Sequence, residues 1–299
     1  MSKIVVCGGL GFVGSHLVER LVELGHNVTV IDDMSTGSFD NLKGFFQKIL
    51  FYSLDVCDPQ LVNFFKDVDY VFHLANPACG TEYERHPVEA TTNAIQGFMN
   101  VLESAREVKV KKVVYVSSAS TYGVFPILYL LALPFSVYGE TRRFFERVAY
   151  VYSKYYGLST VGVRLFSVYG PRSENKQGYA SVVNQFVKTM MRGGQPEIWG
   201  NGKQRRDYVY VDDVVGALIA SMEHEQDYMV EVGHGKSYSY NELVEIINGK
   251  LGVDIKPKYV EKEFSNYVEE TRCMRKDFTP KISLEEGVGK LIEYYRGEG

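Results

Sequence analysis

The chain has 299 residues, 45% of them hydrophobic and 23% charged, with a formal charge of −4 and an isoelectric point near 5.9. That is enough to bury a sizeable core in one large or two ordinary domains, and the acid balance and scattered Lys and Arg argue against a nucleic-acid surface. Cys7, Cys57, Cys79 and Cys273 form no CxxC and the histidines no HExxH, which argues against a disulfide framework and a metal site and reads as free thiols of a cytoplasmic protein.

The amino terminus, MSKIVVCGG, runs directly into a predicted strand and leaves no room for a signal peptide. Apolar, β-branched runs at 3–7, 27–31, 49–55, 69–75, 112–118 and 160–166 read as strands covered on both faces. Amphipathic patterns at 12–24 and 88–108 read as the helices between them. Alternation of this kind predicts an α/β fold, a doubly wound parallel sheet of Rossmann type, over residues 1–167. Residues 168–299 predict a smaller α/β region that binds the substrate, with segments near 205–235 returning to the sheet. The apolar run 124–135, VFPILYLLALPF, is too short to span a bilayer and holds Pro126 and Pro134, so it reads as a buried loop or an interface segment, with a membrane-surface contact or a hydrophobic lid as the alternative.

Gly8, Gly11 and Gly14 lie between the first strand and the first helix. Glycines there allow a tight turn and close approach of backbone to a pyrophosphate, with the free N–H groups of the helix end pointing at the anion. The next strand ends in Asp32, placed to accept hydrogen bonds from both hydroxyls of an adenosine ribose, with Asp33 as the adjacent alternative. A carboxylate there repels a 2′-phosphate, so NAD is favoured over NADP. No Gly-Lys-Ser/Thr follows, which excludes a P-loop.

Two stretches place a tyrosine four residues before a cation: YGETR (138–142) and YVYSK (150–154). In a doubly wound sheet, ligands bind outside the carboxyl ends of the strands, where each following helix begins. Tyr138 falls at such a beginning, whereas Tyr150 lies roughly 18 Å further along and on another face. Tyr138 with Arg142 is therefore the expected pair, although the second stretch carries the usual lysine. A phenol needs about 4 kcal/mol of help to act as a base near neutrality, and a permanent guanidinium one turn away can contribute it.

Together with SSASTYG (117–123), HLA (73–75), RLFSVYGPR (164–172) and RRDYVYVDD (205–213), these motifs resemble the extended short-chain dehydrogenase/reductases that act on nucleotide sugars, most of all UDP-glucose 4-epimerases. The resemblance covers essentially the whole chain. It implies that Ser118, four before the tyrosine of S-x-x-x-Y-G, shares catalysis with Tyr138 and Arg142. It implies cofactor contacts from Phe12 and Val13 beside the glycines, from Leu74 and Ala75, from Tyr138 and Arg142, and from Asp55 and Val56 at the adenine. On the substrate side it implies Arg206 at the nucleotide diphosphate, Arg272 as a second arginine, and Ser167 where relatives carry an asparagine. Trp199, in EIWGNG, either meets the uracil or serves packing. A homodimer through helices 88–108 and 138–156 is also implied.

The reaction implied is NAD-dependent inversion at C4 of a UDP-hexose, through a transient 4-keto sugar. UDP-glucuronate decarboxylase is the alternative within the fold, because NPACGTEYERHP (76–87) resembles that branch. Such enzymes carry an acid two positions after the catalytic Ser or Thr, where this chain has Ser120. An NAD-binding sensor or scaffold without catalysis is the alternative from another class.

Overall fold

The computed structural model describes residues 1–77, 80–123, 134, 136–173, 180–224, 229–261 and 268–297. The apolar run 124–135, Pro134 excepted, lies outside the described residues, as does Cys79.

Strands β1 (Lys3–Cys7), β2 (Asn27–Asp32) and β3 (Ile49–Ser53) alternate with α1 (Phe12–Glu23), and α2 (Leu61–Phe64) leads to β4 (Tyr70–His73). Helices α3 (Gly80–Arg85) and α4 (Pro87–Glu107) precede β5 (Lys112–Ser118), and α5 (Val137–Tyr155) precedes β6 (Thr160–Leu165). Next come β7 (Ser167–Tyr169), α6 (Val182–Met191), β8 (Glu197–Trp199), β9 (Arg205–Arg206), β10 (Tyr208–Tyr210), α7 (Val211–Met222) and β11 (Met229–Val232). The chain closes with β12 (Tyr238–Ser239), α8 (Tyr240–Leu251), β13 (Lys258–Val260), β14 (Glu270–Thr271) and α9 (Leu284–Gly297).

Seven strands form one sheet in the order β11-β6-β5-β4-β1-β2-β3, with every pair parallel. The chain leaves β1 in one direction for β2 and β3, then returns to the other side of β1 for β4, β5 and β6. The reversal places a switch point between β1 and β4, where a doubly wound sheet opens a crevice. One face is covered by α1 and α7, whose Leu17, Val18, Val214 and Leu218 join the core there. The other is covered by α4 and α5, through Phe98, Val101, Phe145 and Ala149. Helices α6, α8 and α9 build a third core around Val187, Ile247 and Leu291.

Met229–Val232 lies on the edge of the main sheet, parallel to β6. The neighbouring strands instead pair in small sheets, β10 with β7 and β9 with β12 and β14. No helix among the described residues is long and apolar enough to cross a membrane.

Gly14 is where the first turn is tightest: a Cβ on it would lie 2.0 Å from the Gly8 carbonyl oxygen. Gly14→Ala should therefore push α1 off the turn, cost about 1–3 kcal/mol and lower the fraction of protein purified with cofactor. Thermal melting and the absorbance of the denatured supernatant check both effects.

Candidate active site

Two cavities, of about 320 and 240 Å³, share Gly8, Gly11, Thr36, Leu74, Asn76 and Pro77, and so form one groove over the switch point. Gly8 has a φ of +82°, and a Cβ there would stand 2.6 Å from the Ala75 nitrogen. Only glycine lets the end of β1 pass the end of β4 this closely. Helix α1 starts at Phe12 with no side-chain cap on its amino end, leaving its first N–H groups for a ligand.

Asp32 lies at the buried end of β2, lining the wider cavity. Its Oδ2 accepts the Leu10 N–H at 2.9 Å and its Oδ1 the Met34 N–H at 2.8 Å. The carboxylate is thus held in place while each oxygen keeps a lone pair for a ligand hydroxyl. Burial raises its pKa above the ordinary carboxylate value, against the pull of these two bonds. Asp33 lines the same cavity but is exposed and turned to Ser35, whose N–H and Oγ it accepts at 2.9 and 2.7 Å. Further along, Asp55 takes the Cys57 N–H at 2.8 Å, and the Val56 carbonyl accepts Asn100 Nδ2 at 2.6 Å.

The narrower cavity is lined by Phe12, Val13, Gly14, Ser118, Tyr138 and Arg142. Ser118 ends β5 and caps the turn that follows, accepting the Ser120 N–H at 3.1 Å and donating to Ser120 Oγ at 3.2 Å. Helix α5 begins one residue before Tyr138, with Ser136 accepting the Gly139 N–H at 3.0 Å. A Cβ on Gly139 would stand 2.7 Å from the Ser120 carbonyl oxygen. The glycine of YGETR thus lets the first turn of α5 rest on the Ser118 turn.

One turn later, Arg142 is 4% exposed. Its guanidinium lies 4.9 Å from the centre of the Tyr138 ring and 5.1 Å from that of Phe145. Its Nε and Nη1 have no hydrogen-bond partner among the described residues. Each such group costs about 1–3 kcal/mol when it stays dry, so a buried unpaired fork at the wall of a groove fits a ligand that supplies the acceptors. The adjacent His73 is fully buried, and burial, then the charge of Arg142, lower its pKa to about 3. It stays neutral, with Asn76 Nδ2 at 3.2 Å from its Nε2. Tyr83 meets the Tyr138 ring edge-on at 5.3 Å between centres.

The glycines, Asp32, Asp33, Asp55, Val56, Leu74, Ala75, Ser118, Tyr138 and Arg142 thus share one groove. Tyr150 does not join them: it is 59% exposed, and the Lys154 ammonium lies over its ring at 5.7 Å. Ser167, Trp199, Arg206 and Arg272 line neither cavity of the groove. Ser167 donates its N–H to the Asp207 carbonyl at 2.9 Å, and its neighbours Phe166 and Val168 do line the groove. Arg206 is paired in register with Thr271, which brings Arg272 beside it. Trp199 ends β8 and is 36% exposed. His73, Asn76 and Tyr83 were not singled out in the sequence as site residues. Their signal was position alone, since His73 and Asn76 end or follow a strand at the switch point.

A glycine turn at the switch point of a parallel sheet, under an uncapped helix end, defines a dinucleotide-binding protein. The chain belongs to the NAD dependent epimerase/dehydratase family, whose model matches residues 4–233, and NAD is its cofactor. Over 99% of both chains it is 33% identical to a UDP-glucose 4-epimerase of Thermotoga maritima solved with UDP-glucose, with a TM-score of 0.93. A UDP-N-acetylglucosamine 4-epimerase of Methanobrevibacter ruminantium M1, in complex with UDP-N-acetylmuramic acid, has the same TM-score at 31% identity, covering 100% of this chain and 99% of its own. UDP-glucuronic acid decarboxylase 1 of Arabidopsis thaliana is 30% identical over 98% of this chain and 70% of its own.

His73 sets a pH dependence. Its pKa is about 3 in the fold against an ordinary 6.5, so between these values the unfolded chain binds the extra proton. Its contribution is intact above about pH 6.5 and is lost as pH falls toward 3, amounting to about 2 kcal/mol between pH 7 and pH 5. Denaturant midpoints measured across that range should fall with acid, and His73→Asn should flatten the slope.

Proposed function

We propose that the protein inverts the configuration at C4 of a UDP-hexose, as in the interconversion of UDP-glucose and UDP-galactose. The observation that carries this reading is the Arg142 guanidinium over the Tyr138 ring at the wall of the glycine groove, with Nε and Nη1 lacking a partner among the described residues. NAD, which the glycine turn, Asp32 and Arg142 would hold, would supply the redox chemistry as acceptor and then donor of the C4 hydride. Tyr138 accepts the proton of the C4 hydroxyl as that carbon is oxidised, and gives it back when the sugar, having turned over, is reduced on its other face. Arg142 sets its permanent charge over the Tyr138 ring and offers Nε and Nη1 to ribose hydroxyls of the cofactor. Ser118 hydrogen-bonds the sugar hydroxyl and helps hand over its proton.

Arg206, on β9, and Arg272, just after the paired strand β14, are proposed to grip the nucleotide diphosphate, with Ser167 nearby and Trp199 beside the uracil. Decarboxylation is the second reading, supported by the likeness to UDP-glucuronic acid decarboxylases. It is disfavoured because Ser120, bonded to Ser118, stands where that chemistry needs a carboxylate. Purified protein incubated with UDP-glucose, UDP-galactose and UDP-glucuronate should interconvert the first two. Release of CO₂ from the third would establish the decarboxylase instead, and no product from any of them would leave the sensor reading.

Tyr138→Phe should abolish turnover while Tyr150→Phe keeps most of it. Arg142→Lys, which preserves a cation, should stay within about tenfold of the native rate. Arg142→Met should lose about a hundredfold or more, since it removes both the charge and the donors. Initial rates at saturating substrate check the series, and an unchanged Arg142→Met rate would return the role to Lys154.

A homodimer through α4 and α5 belongs to the same reading. Val88, Tyr150, Val151, Tyr155 and Tyr156 on or next to these helices are exposed apolar or aromatic side chains. Sedimentation at micromolar concentration should give twice the chain mass of 33.9 kDa. Tyr155→Glu should shift it toward that of one chain.

A further inference from the structure

Behind Ser118 lies a buried ion cluster that the proposed chemistry does not use. Arg164 of β6 grips Glu146 of α5 with both arms of its fork, Nε to Oε1 at 2.8 Å and Nη2 to Oε2 at 2.6 Å. Its Nη1 reaches Glu231 Oε1 of β11 at 3.2 Å. The Arg164 side chain is 12% exposed, that of Glu146 11% and that of Glu231 0%. Burial opposes the charge on Arg164, but its bonds to Glu146 and the fields of Glu146, Tyr122 and Glu231 outweigh that and raise its pKa.

Each carboxylate also accepts a hydroxyl from the segment around Ser118, one from Ser117 just before it and one from Tyr122 at the end of the turn that Ser118 caps. Ser117 Oγ donates to Glu146 Oε1 at 2.6 Å. Tyr122 Oη donates to Glu231 Oε1, and Arg164 Nη1 donates to the same Tyr122 oxygen. Ser118 therefore lies between two tethered residues, Ser117 directly before it and Tyr122 four residues after it, each tied to a carboxylate, and both carboxylates are tied to one guanidinium. Glu146 further shares a helix face with Tyr138 and Arg142, two turns and one turn earlier. The carboxylate that holds Ser117 thus also sets how α5 lies along β5.

We propose that Arg164 is a positioning residue of the catalytic corner, holding Ser118 in register with Tyr138 and Arg142 through Glu146 and Glu231. This rests on the roles given above to Ser118 and Tyr138. The cluster joins β5, α5, β6 and β11, the four elements whose relative placement decides the distance between the serine hydroxyl and the phenol. A displacement of about 1 Å between such groups can cost about a hundredfold in rate while binding is unaffected.

Arg164→Met would leave two buried carboxylates uncompensated and unfold the chain, so the test uses the two hydroxyls. Ser117→Ala and Tyr122→Phe each cut one tether and leave the ion pairs in place. Expected are a fall in kcat of about tenfold in each and about a hundredfold together, with KM for the UDP-hexose, bound NAD and melting temperature near native values. Ser117→Thr, which restores the hydroxyl, should recover most of the rate. A double variant with native kcat would overturn the proposal and leave the epimerase reading standing. So would a loss of kcat that tracks equal losses of NAD and melting temperature, which marks a stabilising role only. A native protein that turns over no UDP-hexose would overturn the epimerase reading, and the role of Arg164 with it.

Discussion

The chain runs from β1 to β2 and β3 on one side and to β4, β5, β6 and β11 on the other, and the groove exists because of that reversal. Where two neighbouring parallel strands send their connections to opposite faces, nothing fills the space beyond their carboxyl ends. The closeness of β1 and β4 then decides what the turn residues can be. Gly8 has a φ of +82° and passes within contact of Ala75, and Gly14 packs against the Gly8 carbonyl, so a side chain at either position would spread the strands. Asp32, Asp55, Leu74, Ala75 and Ser118 all end strands of this sheet or follow their ends, which is why residues so distant in sequence share one cleft.

Two largely buried arginines differ in whether the protein fills their donors. Arg164 has its fork filled by Glu146 and its remaining arm shared by Glu231 and Tyr122. Arg142, buried as deeply, is flanked by aromatic rings and leaves Nε and Nη1 without a partner among the described residues. A protein gains no stability from the second arrangement. The neutral His73 beside it has the same sense: burial and the Arg142 charge keep a second proton away, so the local field belongs to the guanidinium alone.

Much of the sheet was legible because its signals are local. Continuous β-branched runs marked six of the seven strands of the main sheet to within a few residues, the seventh, β11, falling within the 205–235 stretch expected to return to the sheet, and the polarity of a helix after a strand separated Tyr138 from Tyr150 without any contact being known. The Arg164 cluster was not legible, because its members are joined across spans of 18, 42 and 67 residues and only the folded sheet brings them together. The glycine in YGETR was visible, but its purpose, to admit the Ser120 carbonyl, was not. Ser167, Trp199, Arg206 and Arg272 were carried over by resemblance. Resemblance gives a residue's type and order and does not give the distance of its loop from the groove.

Arg142 Nε and Nη1, without partners among the described residues, are proposed to anchor the cofactor beside Tyr138. A crystal structure of the protein with NAD and a UDP-hexose tests it most directly. The account predicts Arg142 Nε or Nη1 within hydrogen-bonding reach, about 3 Å, of the ribose hydroxyls next to the nicotinamide, and the Tyr138 hydroxyl against the C4 oxygen of the sugar. An Arg142 side chain swung away to pair with a protein carboxylate, or a nicotinamide ribose beyond its reach, would contradict it.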